Sequence, residues 1–409
     1  MKRGRMRILM LLPRFPYPPE RGDTLRSWTV LQGLSGRHEV WLACVDSRMP
    51  TREQLAPVRE VCREVAVFAR SAAARVLGGV RSVLAGGSFT EGYFADWRLR
   101  RTLAEWSAQE PFDALFTYSS SIAPLAREVR ARRRVMDLCD VDSQKWTRYS
   151  REAAPPLRWC YRLEAERVAD LEVWAAGRHD VCLTVNEREC KKLHLLAPQA
   201  VVEVVPTPVK VEPTGNGPPP TAPVIGMLGS MCYPPNVLAV DWFGRFVWPL
   251  VQRRLPEARW LIVGRDPVRS VRKWNRLPGV TVTGRVPDVC PYLAQMRVFV
   301  DPVRGDIGVQ TKLLVALANG RPAVTTSDAV AGLTYSGQPP CLVANTPADF
   351  ASAVVRLTLD AELWHRLSRR GRELIEQKHA SQVETVEQLL TAGRPAAVRR
   401  GSGRALVTA

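Results

Sequence analysis

Phe299 to Ser327, FVDPVRGDIGVQTKLLVALANGRPAVTTS, reads as one strand-loop-helix-strand unit. A buried strand over Val298–Val300 leads into a turn with Gly305 and Gly308. An amphipathic helix from about Val309 to Asn319 follows, Gly320 stops it, and Pro322 to Thr326 form a second buried strand. In a parallel sheet such a unit sets the free N–H groups and dipole of the helix N-terminus at the carboxyl edge, where an anion is stabilised. Lys312 lies in the first turn. A cation there opposes the dipole and points to a negative ligand; a solvated surface lysine accounts for it equally well.

Around this unit, 409 residues that are 46% hydrophobic and 24% charged exceed one ordinary core, so two domains are expected. The net charge of +18 implies an anionic partner, whether nucleic acid, a membrane surface or a phosphorylated substrate. Nine cysteines without a Cys-x-x-Cys pair, and five histidines, indicate neither a zinc site nor a disulfide framework, which fits a reducing cytosol. Behind the basic start, the apolar run Ile8–Leu12 is too short for a signal peptide and reads as a first buried strand. No stretch reaches the roughly 18 apolar residues of a membrane span.

The first half alternates strands and helices. Strands are expected over Arg7–Leu12, Glu39–Val45 and Glu64–Phe68, and helices over Leu25–Leu34, capped by Asp23 or Thr24, and near Arg52–Cys62. That rhythm builds a parallel sheet with helices on both faces. Between Arg70 and Arg101, Val76, Leu77, Val80, Val83 and Leu84 share a helical face beside Arg70, Arg75 and Arg81. Such a segment either packs on the sheet or lies in a membrane interface. The strand Asp113–Tyr118 runs into Ser119, Ser120 and Ser121, which suit a ligand edge or a helix cap. After the strand Arg134–Leu138, Asp137, Asp140 and Asp142 can orient sugar hydroxyls; without the glycine and glutamate of a calcium loop a metal is not expected, and Lys145 can pair with one of them. The helix from about Arg158 to Ala176 carries Glu164, Glu166 and Glu172 among arginines, as in solvated ion pairing. Strands near Val181–Val185 and Val201–Val205 close a first domain, residues 1–205.

Residues 206–223, rich in proline and glycine, form the linker. A second domain, 224–390 with its trailing helices, restarts with VIGMLGS and a helix capped by Asn236. Two further strands end in Gly264-Arg265 and Gly284-Arg285. With Lys312 these arginines make three cations on one sheet edge, a diphosphate site. The tail, 391–409, carries four arginines and no acid, a composition of disorder that also favours anionic lipid.

The segments RFPYPPERGDTLRSW, DVDSQKW, GSMCYPPN, LIVGRDP, VTGRVPD and GVQTKLLVALANGRPAV, in this order, resemble the GT-B glycosyltransferases of the family 4 type. The resemblance is nearest to sugar transferases of exosortase-type exopolysaccharide loci. It implies an α/β fold of two Rossmann-like parallel-sheet domains facing a cleft, and a retaining transfer of sugar from a nucleoside-diphosphate sugar to a glycan or lipid-linked glycan. No metal or cofactor is implied, and the setting is cytoplasmic, at the inner membrane face. By the same analogy Gly229, Ser230, Asn236, Arg265, Gly308 and Lys312 line the donor site, and Lys312 neutralises the leaving diphosphate. Arg285 and Val286 lie where the base is approached, and Gly22 and Asp23 face the reaction centre. Arg26, Ser119, Ser120, Asp140, Asp142 and Lys145 are acceptor-side candidates.

Such enzymes place two glutamates, seven residues apart, around this helix, the second binding the donor ribose. Val315 stands at that second position and Ile307 eight residues before it, with Asp306 beside Ile307. The alternative is therefore a catalytically impaired GT-B protein that binds a nucleotide or a partner. A nucleic-acid binder driven by charge lacks a recognisable module, and a nicotinamide enzyme lacks Gly-x-Gly-x-x-Gly after a strand.

Overall fold

The computed structural model describes residues 4–211, 217–305 and 308–392. The first sheet comprises β1 (Arg7–Leu12), β2 (Glu39–Asp46), β3 (Glu64–Ala69), β4 (Phe112–Tyr118), β5 (Ala131–Cys139), β6 (Val181–Thr184) and β7 (Val202–Val204). Their order is β3-β2-β1-β4-β5-β6-β7, parallel throughout. The second sheet comprises β8 (Val224–Leu228), β9 (Arg259–Val263), β10 (Val280–Val282), β11 (Val298–Asp301), β12 (Ala323–Thr325) and β13 (Leu342–Val343). It runs β10-β9-β8-β11-β12-β13 and is also parallel.

Both sheets are covered on two faces, which is why their central strands are apolar without alternation. In β1, Ile8, Met10 and Leu12 enter one core while Leu9 and Leu11 enter another. In β8, Ile225 and Met227 pack with Phe243, Trp248 and Trp260, whereas Val224 and Leu228 pack with the helix Thr311–Ala318. That helix is two residues shorter at its start than the periodicity suggests, and Gly320, at φ 65°, ends it in the left-handed region that favours glycine.

The last helix, Gln382–Thr391, follows the second domain in sequence but packs on the first. Val386 and Leu390 enter the core of β1, Val383 seats where Gly33 has no side chain, and Leu389 accepts from Arg133 at 3.0 Å. The chain therefore crosses between domains twice. The basic tail and the pair Asp306-Ile307 lie outside the described residues. Among those described, no helix is long and apolar enough to cross a membrane.

Two glutamates read as solvated are buried instead. Glu164 accepts the backbone N–H groups of Phe89 and Thr90 at 2.7 and 2.8 Å, fastening the start of the helix Phe89–Phe94. Glu172 accepts from the Ser143 hydroxyl at 2.6 Å, and burial pushes its carboxyl up to about 8. Only Glu166 makes the expected exposed pair, with Arg162.

Candidate active site

In each sheet the strand order reverses between two neighbours, β1 and β4 in the first and β8 and β11 in the second. Loops leaving the carboxyl ends of strands at such a reversal diverge and open a crevice, the usual ligand position in this architecture. Here the two crevices face one another across an open cleft of about 1350 Å³. The first domain contributes Pro13–Asp23 after β1, Ser119 after β4 and Asp140–Asp142 after β5. The second contributes Gly229–Ser230 after β8, Gly264–Arg265 after β9, and Gly308–Lys312 beyond β11.

The backbones of the second domain meet closely on this edge. A Cβ on Gly264 would fall 1.7 Å from the Gly229 carbonyl oxygen, so no side chain fits there. Gly308, at φ 66°, lies with its Cα hydrogens toward Asp140 of the opposite domain, where a Cβ would come within 3.2 Å of the carboxylate. Gly22 similarly faces the Thr311 hydroxyl. Glycines on both walls thus let the domains approach at the mouth of the Lys312 helix.

The three cations already have partners. Lys312 Nζ is 3.0 Å from Asp301 Oδ1 and donates to Asn236 Oδ1 at 2.7 Å; Asp301, at the end of β11, is wholly buried. Arg265 and Arg285 flank one carboxylate of the first domain, Glu20, at 3.5 and 3.3 Å. Asn236 does not cap its helix, which starts after Tyr233; its side chain instead ties Lys312 to the Ser230 carbonyl, to which it donates at 3.1 Å. Asp23 does not cap either: it lies in the first turn of the helix Gly22–Ser35, and the Thr24 hydroxyl accepts from the Arg21 N–H.

Residues 222–360 match the family model described as glycosyl transferases group 1. No curated protein sequence matches the chain. Among solved structures, HepE of Anabaena in complex with UDP and glucose is 13% identical at TM-score 0.63, covering 95% of this chain and 100% of its own. A TarM variant of S. aureus, in complex with fondaparinux, alpha-GlcNAc-glycerol and UDP, is 8% identical at TM-score 0.65, covering 95% and 100%. The alpha,alpha-trehalose 6-phosphate synthase of Burkholderia multivorans is 12% identical at TM-score 0.60, covering 95% and 98%. The chain has the GT-B glycosyltransferase fold.

On this GT-B frame, the residues expected on the donor side, Gly229, Ser230, Asn236, Arg265, Arg285, Val286, Gly308 and Lys312, all line the cleft, as do Gly22 and Asp23. Of the acceptor-side candidates, Ser119, Asp140, Asp142 and Lys145 line it, and Lys145 is engaged by Asp142 at 2.6 Å. Arg26 and Ser120 do not. Arg26 is 1% exposed and forks onto Asp137 inside the first domain, and Ser120 is buried in a 3-10 turn that Ser119 caps. The three aspartates that sequence proximity grouped are therefore separated by role, with Asp137 on Arg26, Asp142 on Lys145, and Asp140 facing the Gly308 loop. Asp140 is exposed to the cleft, yet the two walls crowd around it, and this partial desolvation first, then the nearby Glu189 and Asp142, raise its carboxyl to about 7.

Glu20 and Asp301 escaped the sequence reading. Asp301 had a visible signal, an acid closing a fully apolar strand four residues before Gly305; Glu20 had none, since its partners are more than 240 positions away. The aromatic wall of Phe89, Tyr93, Phe94, Trp146 and Tyr149 was also unread, because the residues come from separate helices.

Proposed function

We propose that this protein is a retaining, hexosyltransferase-type glycosyltransferase of the family 4 type, moving a sugar from a nucleoside-diphosphate sugar to a glycan or lipid-linked glycan. Its setting is cytoplasmic, in exopolysaccharide or cell-surface polysaccharide synthesis. The observation that carries this reading is the placement of the group 1 match. It covers the domain whose Lys312 helix and Gly229–Ser230 turn open into the cleft, opposite a second Rossmann-like wall. The solved HepE and TarM complexes hold UDP, so uridine donors head the candidates.

In this reading the bond from the sugar's anomeric carbon to the diphosphate breaks with its electrons leaving on the diphosphate. Backbone N–H groups at the start of Thr311–Ala318 and the Lys312 ammonium stabilise that charge where it develops. Arg265 and Arg285 add to it once the donor displaces Glu20. The chemistry is assigned without a resident metal or cofactor. The acceptor oxygen approaches from the first domain and bonds to the anomeric carbon on the face the diphosphate leaves, while ionised Asp140 takes its proton.

Titration calorimetry with a panel of nucleoside-diphosphate sugars, without added metal, tests the donor assignment. Micromolar binding of one donor, about 8 kcal/mol, is expected. Val315→Glu is expected to tighten it about tenfold through the ribose hydroxyls, roughly the worth of one hydrogen bond to a charged group. A second reading, a GT-B protein that binds without turnover, is favoured by Val315 itself, an apolar side chain on the cleft wall where a carboxylate is usual. Binding of a donor without transfer would select its nucleotide-binding form, and absence of binding by every donor, in wild type and Val315→Glu alike, its partner-binding form.

Asp140 gives a pH signature. Transfer is expected to rise with pH through about 7 as this carboxyl ionises, and Asp140→Asn is expected to lose that limb of the profile. Stability has the opposite sign. A carboxyl raised on folding binds its proton more tightly in the native state, so its contribution is present at low pH and lost as pH rises through about 7. A rate profile unchanged in Asp140→Asn would remove the residue from the mechanism.

A further inference from the structure

The helix Ala72–Leu84 sits the wrong way round for a water-facing element. It buries Arg75, whose guanidinium lies 5.1 Å from the Tyr93 ring centre, and Gly79, which rests on the Phe89 ring. Val76, Leu77, Val80 and Leu84 face outward, Leu84 with 82% of its surface exposed. A soluble amphipathic helix presents the reverse arrangement.

The first turns of Leu157–Ala176 share the property. Leu157, Trp159 and Leu163 are exposed there, interleaved with exposed Arg158 and with Arg162, whose charge is shared with Glu166. The two helices are fastened into one face. Arg167 donates to the carbonyls of Val83 and Gly87 at 2.9 and 2.8 Å, and Glu164 holds the start of Phe89–Phe94 between them.

Charge selects the occupant. From Ser71 to Thr90 the chain has no acidic residue, Arg81 is exposed beside the apolar stripe, and the whole protein carries +18. Leucine, valine and tryptophan flanked by arginine is the composition of a segment that lies in the interface of an anionic bilayer. A second copy of the chain would cover the same leucines. A two-fold contact, however, would set the arginines of one face against those of the other. The position also has a use: the helix beneath this face, Phe89–Phe94, lines the cleft with Phe89, Thr90, Tyr93 and Phe94. The apolar surface is thus one helix away from the acceptor side.

We propose that helix Ala72–Leu84 and the first turns of Leu157–Ala176 dock on an anionic lipid surface and bring the cleft to a lipid-carried acceptor. The acceptor half of this statement rests on the glycosyltransferase reading; the docking half does not.

The test is flotation of the full-length chain, without nucleotide, on phosphatidylcholine vesicles with and without phosphatidylglycerol. Wild type is expected to float only with the anionic vesicles. Val80→Glu with Leu84→Glu is expected to lower the bound fraction at least about tenfold while keeping its circular dichroism, since both sites are exposed. Quenching by brominated acyl chains is expected in wild type and reduced in Trp159→Phe. Full binding by the glutamate variant, or binding abolished by high salt without quenching, would assign the attraction to charge elsewhere, such as the basic tail, and overturn the proposal. Absence of vesicle binding, with a dimer that the variant dissolves, would overturn it in favour of self-association. Donor binding is read separately by calorimetry in the same variant, so a chain that binds donor but not vesicles loses the docking proposal alone.

Discussion

Lys312→Ala is expected to lose donor binding and to unsettle the second domain at the same time. Its ammonium is 3.0 Å from Asp301, a carboxylate with no exposed surface at the end of a central strand. Removing one member of a buried ion pair leaves the other charged in a poor solvent, a cost of about 3–5 kcal/mol. For a domain of this size that corresponds to a fall in melting temperature of roughly 6–20 °C. Donor affinity is expected to fall about 10–100-fold through the lost charge-assisted contact to the diphosphate, about 1.5–3 kcal/mol.

The two effects separate in a second variant. Lys312→Met combined with Asp301→Asn removes both charges, so thermal stability is expected to return most of the way while donor binding stays weak. Melting curves and calorimetry on the three proteins decide the point. Recovery of donor binding in the double variant would mean that Lys312 serves Asp301 alone, and an unchanged melting temperature in Lys312→Ala would mean that the pair contributes no stability.

The second large effect is expected at Arg26. Its Nε and Nη2 donate to the two oxygens of Asp137 at 2.6 and 3.2 Å, with both side chains essentially buried. The pair joins the helix Gly22–Ser35 to the end of β5, and Asp137 also accepts from the Cys139 N–H at 3.2 Å. Arg26→Met is expected to cost about 3–5 kcal/mol by stranding Asp137. Arg26→Met with Asp137→Leu is expected to cost much less, because two apolar chains replace two desolvated charges. Denaturant unfolding measures the difference. Equal losses in single and double variants would show that packing volume at position 26, and not charge pairing, sets the stability. Because the pair lies within the first domain, donor binding at the second is expected to survive in any Arg26 variant that folds.

Much of the fold was legible because its determinants are local. Continuous apolar runs such as Ile8–Leu12 announce strands buried on two faces, and their alternation with helical periods leaves the parallel two-sheet architecture as the natural packing. The glycine-cation edge was legible for the same reason: Gly229 and Gly264-Arg265 follow directly from strands, Gly308 and Lys312 lie in the loop and helix beyond β11, and a parallel sheet carries all such loops to one side. Where the reading missed, the determinant was a partner distant in sequence. Arg26 and Asp137 look like polar residues near a ligand edge, and only packing reveals that they satisfy each other. Glu164 and Glu172 alternate with arginines as solvated residues do, yet the helices laid over them turn them into buried acceptors for backbone and hydroxyl donors.

Amphipathicity showed the same limit. Val76, Leu77, Val80 and Leu84 define an apolar helical face from their spacing alone, but spacing cannot say which way the helix is rolled. Arg75 on Tyr93 and Gly79 on Phe89 decide that, and they decide it outward. The chain by itself determined its strands apart from the two-residue edge strand β13, its two domains and the glycine-cation edge of the second, since these depend on the period of side chains along a backbone of known geometry. The tertiary structure alone decided that Glu20 bridges Arg265 and Arg285, that Asp301 sits under Lys312, and that the last helix returns to the first domain. Those are contacts between segments far apart in sequence, set by how closed layers of side chains fill space.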